Sequence, residues 1–197
     1  MIFTETKLPG AFIVDLERRG DERGFFARTF CQREFETHGL KPLIAQANLA
    51  ANKLKGTLRG MHFQFPPKAE TKLVRCIRGG ILDIIVDLRP ESSTYLEHVA
   101  VELNEENQRA LYVPERFAHG YQCLTDDAFT TYQVGEFYAP QLESGLKYDD
   151  PRLGLKWPLP VASISPKDEV WKSLVEIEPE LARRMTLSAP LQSTGVR

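Results

Sequence analysis

Gly79-Gly80-Ile81-Leu82-Asp83-Ile84-Ile85-Val86-Asp87-Leu88-Arg89-Pro90 carries the pattern that decides the fold. Leu82, Ile84, Val86 and Leu88 share one face, and Asp83 and Asp87 fall on the other, the period of two of a half-buried strand. Turn formers bound the run: Arg78-Gly79-Gly80 before it and Arg89-Pro90-Glu91-Ser92 after it. Further out, Val99, Val101 and Leu103 alternate with His98 and Glu102, and Asn104-Glu105-Glu106-Asn107 supplies the next turn. From Leu43 to Tyr138 the chain reads almost wholly as short strands. Many short strands with turns between them specify an all-β sandwich or barrel, whose closure removes exposed edges.

The flanks are mixed. Ala11–Val14 reads as a strand, Asp21-Glu22-Arg23-Gly24 as a turn, and Phe25–Phe30 as a second strand. Cys31–His38 has helical character and stops at Gly39, with Pro42 blocking continuation. Beyond Pro140, Tyr148-Asp149-Asp150-Pro151 and Trp157-Pro158-Leu159-Pro160 read as loop. Short helices are expected over 168–174 and 178–185, and a flexible tail over 187–197, leaving one domain over 1–186.

The chain has 197 residues and a formal net charge of -2, with its Lys and Arg residues spread out rather than gathered in a tract. That balance argues against a nucleic-acid binder and makes any anion site local. Cys31, Cys76 and Cys123 are odd in number and far apart, which fits a reduced, cytoplasmic protein. Cys76 and Cys123 lie in apolar runs and are expected in the core. Met1-Ile2-Phe3-Thr4-Glu5 has neither a basic n-region nor an apolar h-region, and no run reaches the ~18 apolar residues of a membrane helix, so no membrane partner is expected.

Leu58-Arg59-Gly60-Met61-His62-Phe63-Gln64 and Lys72-Leu73-Val74-Arg75 put an arginine, a histidine and a lysine into one hairpin-sized segment. Strand parity places Leu58, Gly60, His62 and Gln64 on one face and Arg59, Met61 and Phe63 on the other. Gly60 permits a close approach of backbone or ligand. A lone histidine is more often a structural or surface residue than a base; the neighbours of His62 shift the reading towards a base, since imidazole exchanges protons near neutral pH. Lys72 shares the parity of Val74 and Cys76; its ammonium either snorkels to water or points inward, where it would steady an enolate oxygen. Tyr132, in phase with Thr130 and Val134, is a packing residue or a proton donor. His119 lies in Val113-Pro114-Glu115-Arg116-Phe117-Ala118-His119-Gly120. His38 and His98 are weaker candidates.

Gly56, His62 and Gly80, then Pro114 and His119, have the spacing of the two cupin motifs. Metal cupins carry His-x-His and a glutamate in the first motif. Here it reads His62-Phe63-Gln64, with Glu70 a poor match, and two histidines with a glutamine make a weak transition-metal set.

Together these residues resemble the dTDP-4-dehydrorhamnose 3,5-epimerase family from about Phe12 to Trp171. The most specific pieces are Asp21-x-Arg23-Gly24-Phe25-Phe26, Leu58–Gln64, Lys72–Arg75, Pro114-Glu115-x-Phe117-Ala118-His119-Gly120 and Tyr148-Asp149-Asp150-Pro151. The resemblance implies a metal-free, cupin-type jelly roll, a homodimer, no cofactor and a nucleotide-diphosphate 4-keto-6-deoxyhexose substrate. It implies that His62 is the base, Asp168 its orienting carboxylate, Tyr132 the proton donor, and Lys72 the lysine near the substrate carbonyl. His119 matches another pocket residue. Arg23 and Arg59 match diphosphate ligands; Gln46, Asn48, Glu143 and Lys167 match substrate contacts; and Phe26 and Tyr138 match aromatics near the base.

Two positions depart from the family. A glutamate near the nucleotide is replaced by Arg28. A carboxylate accepts from thymine N3–H, whereas a guanidinium only donates, which suits the acceptors of cytosine. The nucleotide is thus open between dTDP and CDP. Gln133 follows Tyr132 where a lysine is common, which leaves open which centre is inverted. The rival readings are a ketoisomerase on the same scaffold, a non-catalytic sugar-binding cupin and a metal-dependent oxygenase.

Overall fold

The computed structural model describes residues 1–186; the tail expected over 187–197 lies outside the described residues. Two antiparallel sheets form the body. The six-stranded sheet has the order β1 (Ile2–Glu5), β2 (Phe12–Asp15), β10 (Ala110–Val113), β7 (Lys72–Arg78), β12 (Ala128–Val134), β5 (Gln46–Asn52). The five-stranded sheet has the order β13 (Glu143–Gly145), β6 (Leu58–Gln64), β11 (Phe117–Cys123), β8 (Gly80–Asp87), β9 (His98–Asn104). A separate hairpin joins β3 (Arg19–Asp21) to β4 (Gly24–Phe26). The result is the expected cupin-type jelly roll.

One buried cluster holds Val74, Cys76, Leu111 and Ala128 from the first sheet against Ile81, Ile85, Leu103 and Tyr121 from the second, so the sheets are stacked face to face. A second cluster covers the outer face of the five-stranded sheet: Met61, Phe63, Ile84 and Val86 pack on Leu174, Ile177 and Leu181 of α3 (Leu174–Arg184). A third gathers Phe35 of α1 (Gln32–Thr37) with Val14, Leu73 and Tyr112 on the outside of the six-stranded sheet.

This arrangement corrects the half-buried reading of β8. Its Leu82/Ile84/Val86 face lies against α3, but the face carrying Asp83 and Asp87 looks into the sandwich, and both carboxylates are fully buried. Asp87 is satisfied there: it accepts from Arg89 Nη2 at 2.7 Å, Ser92 Oγ at 2.7 Å and Thr94 Oγ1 at 2.7 Å. Burial pushes its pKa up, and these donors outweigh burial and hold it below the ordinary carboxylate value.

Three boundaries also differ. The strand expected over Phe25–Phe30 ends at Phe26, and Phe30 turns into the cluster around Phe35. In place of a helix over 168–174, α2 spans Pro166–Glu169; Ser165 caps it by accepting from Asp168 N–H, and Pro166 starts it. The last helix begins at Leu174, ahead of the expected 178, because Ser173 and Glu176 form a capping box. Pro179 looks like a helix starter and in fact sits inside α3.

The local feature that matters most lies where β6 crosses β11. His119 pairs with His62 but Tyr121 pairs with Arg59, so three steps on β6 match two on β11. This bulge overturns the simple parity reading: Arg59 and His62 end up on the same side. It is built on Gly60, with φ +136°, where a Cβ would fall 2.5 Å from Gly120 Cα. Gly60→Ala should therefore cost about 2–4 kcal/mol from backbone strain and overpacking together. Urea unfolding will show a lower midpoint at unchanged m-value, and an unchanged midpoint would contradict the crossing as described.

Candidate active site

Ala50, Arg59, His62, Lys72, His119, Tyr121 and Tyr132 line a cavity of about 120 Å³ between the sheets. Ala50, Lys72 and Tyr132 come from the six-stranded sheet, and Arg59, His62, His119 and Tyr121 from the five-stranded one. His62 and Tyr132 therefore stand on opposite walls. Lys72 points inward as one of the two sequence readings required, and its side chain is nearly buried.

His62 is held from behind. Its Nε2 lies 2.6 Å from Asp168 Oδ1. The same carboxylate accepts from Trp171 Nε1–H at 3.1 Å and from the Gly60 backbone N–H at 3.3 Å. Burial raises the Asp168 pKa, but the hydrogen bond from His62, its charge, and the Gly60 and Trp171 donors together hold it below the ordinary value. With Nε2 given to the carboxylate, Nδ1 is the nitrogen left to act as a base.

Lys72, Arg59, Tyr121 and His119 each have a polar neighbour. Lys72 Nζ is 3.1 Å from Glu70 Oε1. Arg59 Nε donates to Asn52 Oδ1 at 2.7 Å, and the Tyr121 hydroxyl donates to the same oxygen at 3.3 Å. Burial pushes the Tyr121 phenol up to about 12, so it remains a donor. His119 Nε2 lies 2.7 Å from Asp83 Oδ1. Glu70, Asn52, Asp83 and Trp171 are all unforeseen in the sequence.

A second cluster adjoins this cavity through the β13–β6 pairing, in which Glu143 faces Gln64 and Gly145 faces His62. Glu143 accepts from Tyr138 Oη at 2.8 Å and from Lys167 Nζ at 2.7 Å, and Gln46 Oε1 accepts from Tyr138 N–H at 2.9 Å. Burial raises the Glu143 pKa, and Lys167 and Tyr138 outweigh it. Asn48 pairs with Tyr132 across β5–β12 and shares the inward phase of Ala50. Gln133 has the opposite phase to Tyr132 and does not line the cavity.

Arg23, Phe26 and Arg28 are not brought to this cavity within one chain. Arg23 Nη2 folds back onto Asp21 at 2.6 Å. Arg28 Nη1 pairs with Glu34 of α1 at 3.0 Å, and with Phe26 it lines a different hollow beside Met1, Glu17 and Arg19. Gln64, at the place of the second histidine in a metal cupin, is buried and structural. It donates to Lys68 O at 2.9 Å and accepts from Ala139 N–H at 2.6 Å. Among the described residues no three His, Cys, Asp or Glu side chains are grouped to hold a metal ion.

The jelly roll thus sets a carboxylate-backed histidine and a tyrosine on facing walls of one cavity. The model of the dTDP-4-dehydrorhamnose 3,5-epimerase family matches residues 5–176, and the chain belongs to that family of isomerases. A relative of that name from Methanothermobacter thermautotrophicus is 44% identical over 177 residues, 88% of this chain and 95% of the relative. Its namesake from Shigella flexneri is 40% identical over 83% of this chain and 91% of its own length. The solved dTDP-6-deoxy-D-glucose-3,5-epimerase of Legionella pneumophila, in complex with dTDP-4-keto-L-rhamnose, superposes with a TM-score of 0.87 at 34% identity, covering 95% of this chain and 99% of that one.

The lowered Asp168 pKa gives a signed pH dependence. Its contribution to stability is complete above the ordinary carboxylate value, about 3.9, and is lost as the pH falls through the lower folded value. Asp168→Asn should therefore be less stable than wild type near neutral pH, with a gap that closes below about pH 4. Urea unfolding across that range measures the gap, and a gap independent of pH would contradict an ionised, hydrogen-bonded Asp168.

Proposed function

We propose that this chain inverts C3 and C5 of a dTDP-linked 4-keto-6-deoxyhexose by proton transfer through an enolate. The observation that carries the reading is the placement of His62 and Tyr132 on facing walls of one cavity. Inversion requires a proton to leave one face of a carbon and another to arrive at the opposite face. The C4 ketone acidifies the hydrogens on C3 and C5. His62 Nδ1 takes one of them, Asp168 stabilises the imidazolium, and the electron pair moves into the C4 oxygen. Lys72 and His119 stand by that oxygen. Tyr132 delivers its phenolic proton from the other wall, and exchange with solvent restores both groups. The step is redox-neutral, so its balance calls for no cofactor.

Arg59 provides the cation for the diphosphate. Gln46, Asn48, Tyr138, Glu143 and Lys167 form the surface for the rest of the nucleotide sugar, and substrate binding there supplies binding energy remote from the reacting carbons. The CDP reading depended on Arg28 standing at the base. Its guanidinium pairs with Glu34 of its own chain, and the relatives are named for dTDP. Arg23 and Phe26 lie on an exposed hairpin, with Phe26 72% exposed. We assign them to the cavity of a second copy in a homodimer, and light scattering that gives a monomer would contradict this. The three unpaired cysteines support a cytoplasmic location.

His62→Ala and Tyr132→Phe should each lower kcat/KM for dTDP-4-keto-6-deoxyglucose by about 10²–10⁴-fold, with the melting temperature of Tyr132→Phe unchanged and that of His62→Ala lowered because Asp168 loses its partner. Product configuration read by proton NMR checks this, with the CDP sugar as the parallel substrate. Full activity of either variant would overturn the assignment of base and acid, and equal use of both sugars would overturn the choice of nucleotide.

A further inference from the structure

β11 runs between β6 and β8, and the three strands meet at His119. Its partner on one side is His62 and on the other Ile85. Asp83 lies two residues before Ile85 on the same inward face, where a diagonal side chain reaches a neighbouring strand. Its Oδ1 is 2.7 Å from His119 Nε2. Asp83 is fully buried and His119 is 6% exposed.

The pair is unlike the other acidic pair in the same strand. Asp87 has Arg89, Ser92 and Thr94 around it. Asp83 has His119 and no other cation-forming group within ion-pair distance among the described residues. The contact is close but off the hydrogen-bond line, so neither carboxylate oxygen nor His119 Nε2 has a well-formed hydrogen bond. A fully buried carboxylate left in this state is a burden on the core. Catalytic contacts of this kind tighten when substrate binds.

We propose that Asp83 is a positioning residue, which takes the Nε2–H of His119 and presents the other edge of a doubly protonated imidazole, Nδ1–H, to the C4 oxygen of the substrate. This rests on the epimerase reading of the cavity. It gives two carboxylate-backed imidazoles on adjacent strands different tasks. Asp168 backs the ring that removes a proton from carbon, and Asp83 backs the ring that receives negative charge on oxygen. The buried carboxylate is then balanced by the imidazolium, and the donor is already oriented before charge develops.

Nitrogen-15 NMR of histidine-labelled wild-type protein tests the pair without recourse to activity. Both nitrogens of His119 should be protonated, with the Nε2 proton shifted downfield by the carboxylate. A neutral ring, or an Nε2 without a proton, overturns the proposal. With dTDP-4-keto-6-deoxyglucose, Asp83→Asn should lower kcat by about ten- to hundredfold, with KM within about twofold. The double variant Asp83→Asn/His119→Gln should fall no further than His119→Gln alone. Folded Asp83→Asn with unchanged kcat, or losses that multiply in the double variant, would overturn it. If wild type itself is inactive on this sugar, the epimerase reading fails while the NMR signature still decides the pairing.

Discussion

Gly60 and Gly120 approach so closely where β6 crosses β11 that a side chain at either position would collide with the other strand. The chemistry of the cavity depends on that contact. The positive φ of Gly60 supports the bulge that shifts β6 by one residue against β11, and the shift turns Arg59 and His62 to the same side. The Gly60 N–H also donates to Asp168, the carboxylate behind His62. One backbone position thus aims the imidazole, brings in the arginine and helps fix the acid.

Around this crossing the interior is charged at one end and apolar at the other. Ile81, Ile85, Leu103 and Leu111 fill the dry part of the sandwich. At the cavity, each nitrogen-bearing side chain has an oxygen acceptor beside it: Asp168 beside His62, Asp83 beside His119, Glu70 beside Lys72 and Asn52 beside Arg59. Buried pairs of this kind add little to stability compared with apolar packing. Their value is that dipoles and charges stand fixed before the substrate arrives, so little reorganisation remains when negative charge develops.

The strand pattern of the sequence was enough for the fold class, because turn formers at Gly79–Gly80 and Arg89–Pro90 bracket an alternating run. It misjudged which side of β8 is wet: Asp83 and Asp87 look like a solvent face, yet local donors and His119 let them turn inward. The cavity residues of β6, β7 and β12 were legible from strand phase, except Arg59, which the bulge moves across. Asp168 was reached only through family resemblance, since it lies 106 residues from His62 on a helix of one turn. Asp83, Asn52, Glu70 and Trp171 had no signal of their own, because diagonal and long-range contacts leave no period in the sequence. Arg23 and Phe26 match the family in sequence and Arg28 departs from it, but the folded chain places all three away from its own cavity.

In the proposed reaction two groups on facing walls exchange carbon-bound protons with solvent and so invert two centres. Proton NMR of wild-type protein turning over dTDP-4-keto-6-deoxyglucose in D2O tests it most directly. The product should have inverted configuration and carry deuterium at both C3 and C5. Inverted product without deuterium, or deuterium entering with both configurations retained, would contradict it.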